Sequence, residues 1–387
     1  MKETIQTNPA QANEEAEQLI KGKNKKNVEL LVAIGEVYLK AGKLPEAQEY
    51  AALAKKVNGK SALASVLEGD IAFEQKNAGL ASQKYEEAIY FDPSCTEAYL
   101  RYADIYKSAN AALAIEKLEQ LKATATEVRR GILTEVHAAK SGHPGGSLSV
   151  ADIITYLYSE VLRVDPEKPR WEDRDRLVLS KGHTCPALYA MLAEKSFFPK
   201  EELTTFRAIG SRLQGHPDMN KAPGIDFSAG SLGQGVSAAC GMALAGKLGH
   251  KDYRVYTILG DGEIEEGQVW EAAMFADHYK LDNLCFIIDN NDLQIDGRVG
   301  VVSSPYPIDE KFRAFGFEVF CCDGHDFAAL EETFQKVLNV TGKPAAIIAK
   351  TIKGKGVSYM EDQVGWHGKA PNDAEYEQGM KELEEVR

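Results

Sequence analysis

A doubly wound α/β domain with a mostly parallel sheet, preceded by an all-α region of helical repeats, is the fold class this sequence predicts. Three observations predict it. From about Thr124, short apolar β-rich runs alternate with helical stretches. Glycine is frequent there, but between Lys26 and about Ala123 there are only Gly35, Gly42, Gly59, Gly69 and Gly79, with almost no β-branched runs. That earlier region also repeats itself. Gly35-Glu36-Val37-Tyr38 returns 34 positions later as Gly69-Asp70-Ile71-Ala72, and again as Ala103-Asp104-Ile105-Tyr106.

Taken in order, residues 1–26 read as a flexible N-terminal segment. The start, MKETIQTNPAQANEEAEQ, lacks the apolar core of a secretion signal. Lys21, Lys23, Lys25 and Lys26 form a short basic run, read as a solvated linker. Residues 27–122 carry the repeat. Ala47 and Ala81 hold its register, and YEEAIYFDP (Tyr85–Pro93) closes a helix. A 34-residue period with small residues at helix crossings and Pro after the second helix resembles the tetratricopeptide family. In such arrays, stacked hairpins bury together what one hairpin cannot.

Residues 123–387 form the α/β domain. Arg254–Leu259, Leu284–Ile288, Phe317–Phe320 and Ala345–Ala349 read as buried parallel strands, with helices such as Gln268–Tyr279 and Asp326–Leu338 between them. In a sheet of this kind, ligands sit beyond the carboxyl ends of the strands. The last fifteen residues are acidic and read as a surface helix.

Composition narrows the function. The chain has 387 residues, 44% apolar and 27% charged, with a formal net charge of −13, an ordinary globular balance whose acidity disfavours general nucleic-acid or membrane-surface binding. No stretch approaches the roughly 18–20 apolar residues of a membrane span. Cys95, Cys185, Cys240, Cys285, Cys321 and Cys322 are scattered without metal-ligand spacing, which fits a reducing cytoplasm.

The most informative stretch is LGDGEIEEGQVWEAAMFADHYKLDNLCFIIDNNDLQIDG, from Leu259. A strand ends at Leu259, the turn Gly260-Asp261-Gly262 follows, and a helix starts near Glu266. Twenty-seven residues later, Asn290-Asn291 lie just past the next strand. Adjacent parallel strands would put both ends on one rim. There Asp261 offers a carboxylate, Asn291 an amide oxygen and Leu293 a free carbonyl, a hard all-oxygen set for Mg²⁺ or Ca²⁺ with positions left for diphosphate oxygens. Gly262 lets the backbone approach phosphates at a helix N-terminus.

Four of the eight histidines stand in glycine-containing loops where strands should end: His143 in SGHPGGSLS, His183 in LSKGHTCPALYA, His216 in LQGHPDM and His367 in GWHGKAP. Together with the metal set they suggest a pocket with several groups near pKa 6.5, able to bind hydroxyls and relay protons.

The Gly-Asp-Gly turn, the 27-residue gap and Asn-Asn together resemble the signature of the thiamine-diphosphate enzymes. SGHPGGSLS, SKGHTCPALY, GHPDMNKAPGIDFSAGSLGQG, GDGEIEEG with NNDLQIDG, and WHGKAP stand in the order found in transketolase. The resemblance covers about 260 residues, from near Thr124 to near Glu385, and matches only the amino-terminal, diphosphate-binding half of that enzyme. It implies Asp261, Asn291 and the Leu293 carbonyl as ligands of Mg²⁺, with Ca²⁺ or Mn²⁺ as substitutes. It implies Gly262, Asn291, His183 and His367 at the diphosphate, and Gly230, Ser231 and Leu232 at the thiamine rings. The family usually has Pro where Ser231 stands, which bears on that loop's rigidity. His143 and His367 match histidines that bind substrate and move protons, His216 one that holds the donor hydroxyl, and Glu266 an acid linking paired sites across an interface.

The activity so implied is transfer of a two-carbon ketol unit from a ketose phosphate of the xylulose 5-phosphate type to an aldose phosphate of the ribose 5-phosphate type, as in pentose phosphate metabolism. In this family a pyrimidine-binding domain supplies the glutamate that activates the cofactor. Only about twenty residues follow His367. The resemblance therefore implies one subunit of a split transketolase, inactive without a separate C-terminal, pyrimidine-binding subunit, in a heterotetramer of two of each. The repeats could dock that partner, another protein ligand such as a second enzyme, or nothing beyond their own domain. Two alternatives stay open at this point. One is another thiamine-diphosphate enzyme subunit, of the deoxyxylulose-phosphate synthase or dehydrogenase E1 alpha type; the other is a non-catalytic repeat scaffold.

Overall fold

The computed structural model describes residues 9–385. The chain divides into two compact units, one up to Glu116 and one from Lys117 onward. The division falls inside the helix Thr96–Ala139; the sequence reading put it at 122/123.

In the first unit, helices start at Val28, Ala62 and Thr96, the 34-residue period seen in the sequence, with the helices Leu44–Val57 and Ala78–Phe91 between them. Their ends are written locally. Asn27, Ser61 and Asn77 each accept a hydrogen bond from the backbone N–H three residues on, satisfying one of the donors a helix start leaves open. The repeated glycine has a packing reason. A Cβ on Gly35 would stand 2.5 Å from Leu67 Cδ2, and one on Gly69 would stand 2.4 Å from Tyr85 Cε1, so only glycine allows these helices to pack so closely. Within the expected flexible segment 1–26, the first eight residues lie outside those described, but Pro9–Leu19 is helical. Ala12 and Ala16, one turn apart, are fully buried in the unit's core, and Asn13 accepts a 2.6 Å hydrogen bond from the Tyr38 hydroxyl. Two alanines at helical spacing are a weak signal against the acidic residues around them, which is why the segment read as flexible.

The second unit is built on strands β1 (Arg176–Leu179), β2 (Val255–Gly260) and β3 (Leu284–Asn290), a short hairpin of β4 (Leu293–Gln294) and β5 (Gly297–Arg298), then β6 (Glu318–Asp323) and β7 (Ala345–Lys350). The main sheet is parallel in the order β1-β2-β3-β7-β6. The four expected strands are present within a residue or two at their starts. β1, only four residues long, is an addition.

Both faces of the sheet are covered, because each strand's apolar residues alternate between two cores. Tyr256, Ile258, Cys285, Ile287, Ala345 and Ile347 face a cluster with the helices Pro144–Ser149, Ala151–Tyr156, Cys185–Glu194 and Phe327–Leu338. Val255, Leu259, Leu284, Phe286, Ile288 and Ala346 face the helices Gln234–Leu248, Gly267–His278 and Ile308–Ala314. Each fully buried large apolar side chain contributes about 1.5–3 kcal/mol. The terminal helix Asp373–Glu385 is acidic as expected, and buries Leu383. Parallel strands put all their carboxyl ends on one edge, with Gly260 opposite Asp289 and Asn290 opposite Lys350. The motif-bearing turns gather beyond that edge.

Candidate active site

Beyond the ends of β2, β3 and β7 lies a cavity of about 310 Å³, lined in part by His143, His183, Asp261, Asn291, Lys353 and His367. The register that pairs Gly260 with Asp289 brings the Gly-Asp-Gly turn beside the Asn-Asn turn, as the spacing predicts.

Asp261 is 2% exposed, and both its oxygens face the backbone: Oδ1 accepts from Gly262 N–H at 2.9 Å and Oδ2 from Asp292 N–H at 2.5 Å. Burial, then the nearby Asp289 carboxylate, pushes its pKa up to about 7. A carboxylate held there against its own desolvation is what a divalent cation would stabilise. Asn291 is fixed by donating from Nδ2 to Asp289 Oδ2 at 3.0 Å, while its Oδ1 accepts from Leu293 N–H at 3.1 Å. The Leu293 carbonyl is not free, as the sequence reading had it. Lys353 Nζ donates to it at 2.8 Å. Among the described residues no three His, Cys, Asp or Glu side chains gather as a metal cluster, so Asp261, Asn291 and Leu293 would need oxygens from a ligand and water to complete a shell.

Three imidazoles line the same cavity. The His143 and His183 ring centres are 5.1 Å apart, His143 and His367 5.4 Å, and His183 and His367 5.4 Å in a stacked pair. These rings do not sit near pKa 6.5, as the sequence reading expected. Burial, followed by Arg207, His216 and Lys353, lowers His143 to about 4. Burial, Lys353 and His143 lower His367 to about 3, and His183 falls well below its usual value. Three rings and buried ammonium groups around one cavity oppose one another's protonation, so all three are neutral at pH 7. His143 lines the cavity, and its Nδ1 is buried with no hydrogen-bond partner, an unsatisfied polar atom beside a ligand space.

Only His183 follows a strand end directly, on the turn Gly182–Thr184 just beyond β1. His143 caps the helix Pro144–Ser149, and His367 ends the turn Val364–Trp366. Glycines lock these loops together. A Cβ on Gly145 would lie 2.8 Å from the Trp366 carbonyl, and one on Gly182 would lie 2.9 Å from Gly230 N. Of the expected ring loop, Gly230 and Leu232 line the cavity while Ser231 is exposed beside them. Gly262 lines it too. His216 is exposed and lies outside the lining, its ring against Gly230, which a Cβ would approach to 3.5 Å. Glu266 is exposed and also outside the lining; it precedes the helix Gly267–His278, with Gly233 packed on its Cβ.

Sequence reasoning missed four charged groups that hold the site. Asp289, fully buried, accepts from Ser149 Oγ at 2.5 Å, Asn291, Thr351 and the buried Lys181 ammonium. Burial works against its charge, yet Lys181 and these donors keep its pKa below the usual value. Glu263 accepts from Ser180 Oγ at 2.6 Å, Gly233 N–H at 2.9 Å and Gly260 N–H at 3.1 Å, tying the loop after Gly230 to the Gly-Asp-Gly turn. Lys353, 2% exposed, reaches the Leu293 carbonyl and lies 3.0 Å from His367 Nδ1. Burial and Lys181 lower its pKa to about 8. The signals were an Asp and a Lys beside apolar strands in FIIDNN and LSKGH, and a Lys in the glycine-bearing turn after β7.

Residues 121–384 match the family described as the transketolase, thiamine diphosphate binding domain. The chain belongs to that family. Among curated relatives it is 44% identical over 269 residues to a 6-deoxy-6-sulfo-D-fructose transketolase subunit from a Clostridium species, covering 70% of this chain and 98% of that protein. It is 41% identical to an apulose-4-phosphate transketolase subunit from Phocaeicola vulgatus, covering 70% and 95%. Human transketolase is 44% identical over 262 residues, which make up only 40% of its length. Transketolase from Campylobacter jejuni superposes with a TM-score of 0.65 at 34% identity, over 68% of this chain and 42% of that one. The chain thus spans about two fifths of the full-length transketolases it matches and nearly all of the separate subunits. Residues before about 117, where the helical unit lies, are outside the family match.

Proposed function

We propose that this chain is the diphosphate-binding subunit of a two-chain transketolase, working in the cytoplasm. It would transfer a two-carbon ketol unit between sugar phosphates with thiamine diphosphate and Mg²⁺, active together with a separate subunit that carries the pyrimidine-binding half. A heterotetramer of two of each chain is the proposed assembly. The observation that carries the reading is a cavity lined by Asp261, Asn291 and Leu293 together with three neutral imidazoles and the buried ammonium groups of Lys181 and Lys353. The names of its relatives support the split, since two that it spans almost completely are called subunits.

Bound thiamine diphosphate supplies the nucleophilic ring carbon and the electron sink for cleaving the bond beside a ketose carbonyl. The chain's own residues do the rest. Asp261, Asn291 Oδ1 and the Leu293 carbonyl would hold the cation; Ca²⁺ or Mn²⁺ would serve in its place. Lys353, with His183 and the backbone at Gly262, would meet the diphosphate charge. Gly230, Ser231 and Leu232 would border the thiamine rings. His143 and His367, unprotonated at pH 7, can take a proton from a sugar hydroxyl and return it, and His216 stands at the rim for a donor hydroxyl. Glu266, on the surface, would link paired sites across an interface.

We also read the helical unit as tetratricopeptide-like, with a protein ligand, on the strength of its 34-residue period and the close glycine contacts. The donor is a ketose phosphate, and its identity is to be tested, because the relatives are named for sulfofructose and apulose phosphate. Xylulose 5-phosphate, 6-deoxy-6-sulfofructose and pyruvate should be offered to the reconstituted pair with ribose 5-phosphate as acceptor. Turnover of xylulose 5-phosphate upholds the reading, and turnover of 6-deoxy-6-sulfofructose alone keeps the ketol transfer but replaces the phosphate donor with a sulfonate. Turnover of pyruvate alone overturns it in favour of another thiamine-dependent reaction.

A further inference from the structure

Lys353 enters the cavity from the turn after β7, and the backbone on either side of it is gripped by one hydrogen-bonded network anchored on a buried ion pair. On one side, Ile352 N–H donates to His325 Nε2 at 2.9 Å. On the other, the Lys355 carbonyl accepts from Arg129 Nε at 3.0 Å. Asp152 joins the two grips. It accepts from His325 Nδ1 at 2.7 Å and takes a two-pronged pair from Arg129, at 3.0 Å to Oδ1 and 2.5 Å to Oδ2. Arg129 is 8% exposed and Asp152 5%.

The chemistry fixes each proton. A backbone N–H can only donate, so His325 Nε2 must be unprotonated, and Nδ1 carries the hydrogen that Asp152 accepts. Burial disfavours a charge on Asp152, but the Arg129 guanidinium and His325 hold its pKa down to about 2, so it stays an acceptor. The turn itself cannot drift. Gly354 takes φ +81° and donates to the Gly145 carbonyl at 2.9 Å, in the loop that carries His143. A Cβ on Gly356 would stand 2.9 Å from Arg129 Cδ.

We propose that Arg129, Asp152 and His325 are positioning residues, which clamp the backbone on both sides of Lys353 and so hold its ammonium where the diphosphate binds. None of the three lines the cavity; their effect is exerted through Lys353. The proposal rests on the diphosphate reading of the site, and the experiment separates the two.

Full-length wild type is compared with His325→Ala, His325→Gln, Lys353→Met and the His325→Ala/Lys353→Met double variant. Thiamine diphosphate binding is measured by calorimetry with Mg²⁺ present. Labelling of Lys353 by an amine-reactive ester at fixed pH, read by peptide mass spectrometry, reports its enclosure without any cofactor. His325→Ala should weaken binding by about 10-fold or more and label Lys353 several-fold faster. His325→Gln, which can accept from Ile352 and donate to Asp152, should restore both. The double variant should bind no more weakly than Lys353→Met alone, because the two act in series. Independent, multiplying losses in the double variant overturn the proposal, as does unchanged labelling in His325→Ala. If wild type does not retain the cofactor even with the second subunit present, the diphosphate reading fails. The labelling arm then decides the positioning role alone, with faster labelling upholding it and unchanged labelling overturning it.

Discussion

Glu135 points to a stability effect whose size and sign can be worked out in advance. It lies on the helix Thr96–Ala139 with no exposed surface, and neither of its carboxyl oxygens has a hydrogen-bond partner. Burial drives its pKa well above the ordinary 4.5. The folded chain therefore keeps a proton that the unfolded chain gives up above about pH 4.5. The protonated group's share of stability is whole below that pH. It is lost at up to about 1.4 kcal/mol per pH unit as pH rises toward the folded pKa. Methionine has nearly the same volume and nothing to desolvate. Glu135→Met should stabilise the second unit at about pH 8 by at least the roughly 1–3 kcal/mol cost of an unpaired buried polar group. At about 2–4 °C per kcal/mol for a unit of this size, that is a rise in Tm of roughly 2–12 °C. Thermal unfolding followed by circular dichroism at about pH 5 and pH 8 measures it, and the gain should shrink at the lower pH. A methionine variant less stable than wild type at pH 8, or a gain independent of pH, refutes the reasoning.

Asp261→Ala should abolish retention of thiamine diphosphate with Mg²⁺ while leaving the circular dichroism spectrum intact, since it removes the one charged ligand of the proposed cation set; wild-type retention after desalting would contradict that role. His143→Ala should lower kcat far more than it weakens cofactor binding, because its neutral ring lines the cavity and its Nδ1 has no partner in the protein; release of the cofactor instead would make His143 a binding residue. Gly69→Ala should destabilise the helical unit by about 1–3 kcal/mol, as the new methyl would meet Tyr85, whose hydroxyl is anchored on Asp70 at 2.7 Å. Chemical denaturation reads the loss, and an unchanged midpoint would contradict the packing.

What could be read from the sequence was what depends on local pattern. Alternation of apolar runs and helices marked the strands of the parallel sheet, since a strand buried on both faces must be apolar throughout, as in Leu284–Ile288. The spacing of Asp261 and Asn291 translated directly into adjacent strand ends. The 34-residue period appeared as helix starts at Val28, Ala62 and Thr96. What depends on tertiary contact could not be read. The Leu293 carbonyl looked free because its partner, Lys353, comes from a turn 60 residues away. The histidines looked poised near neutrality because the burial that lowers them, and the nearby Lys and Arg charges that add to it, arise only when three separate loops meet. The burial of Ala12 and Ala16 needed a neighbouring helix pair that acidic local composition does not reveal.

On the reading proposed above, this chain would supply its own side of the diphosphate site and be catalytically silent alone. The direct measurement is ketol transfer from xylulose 5-phosphate to ribose 5-phosphate, with Mg²⁺ and thiamine diphosphate. It should be run on this chain, on a separately produced pyrimidine-binding subunit, and on the two mixed. Turnover in the mixture alone is the predicted result. Turnover by this chain without the second subunit, or none in a mixture that demonstrably holds the cofactor, would contradict it.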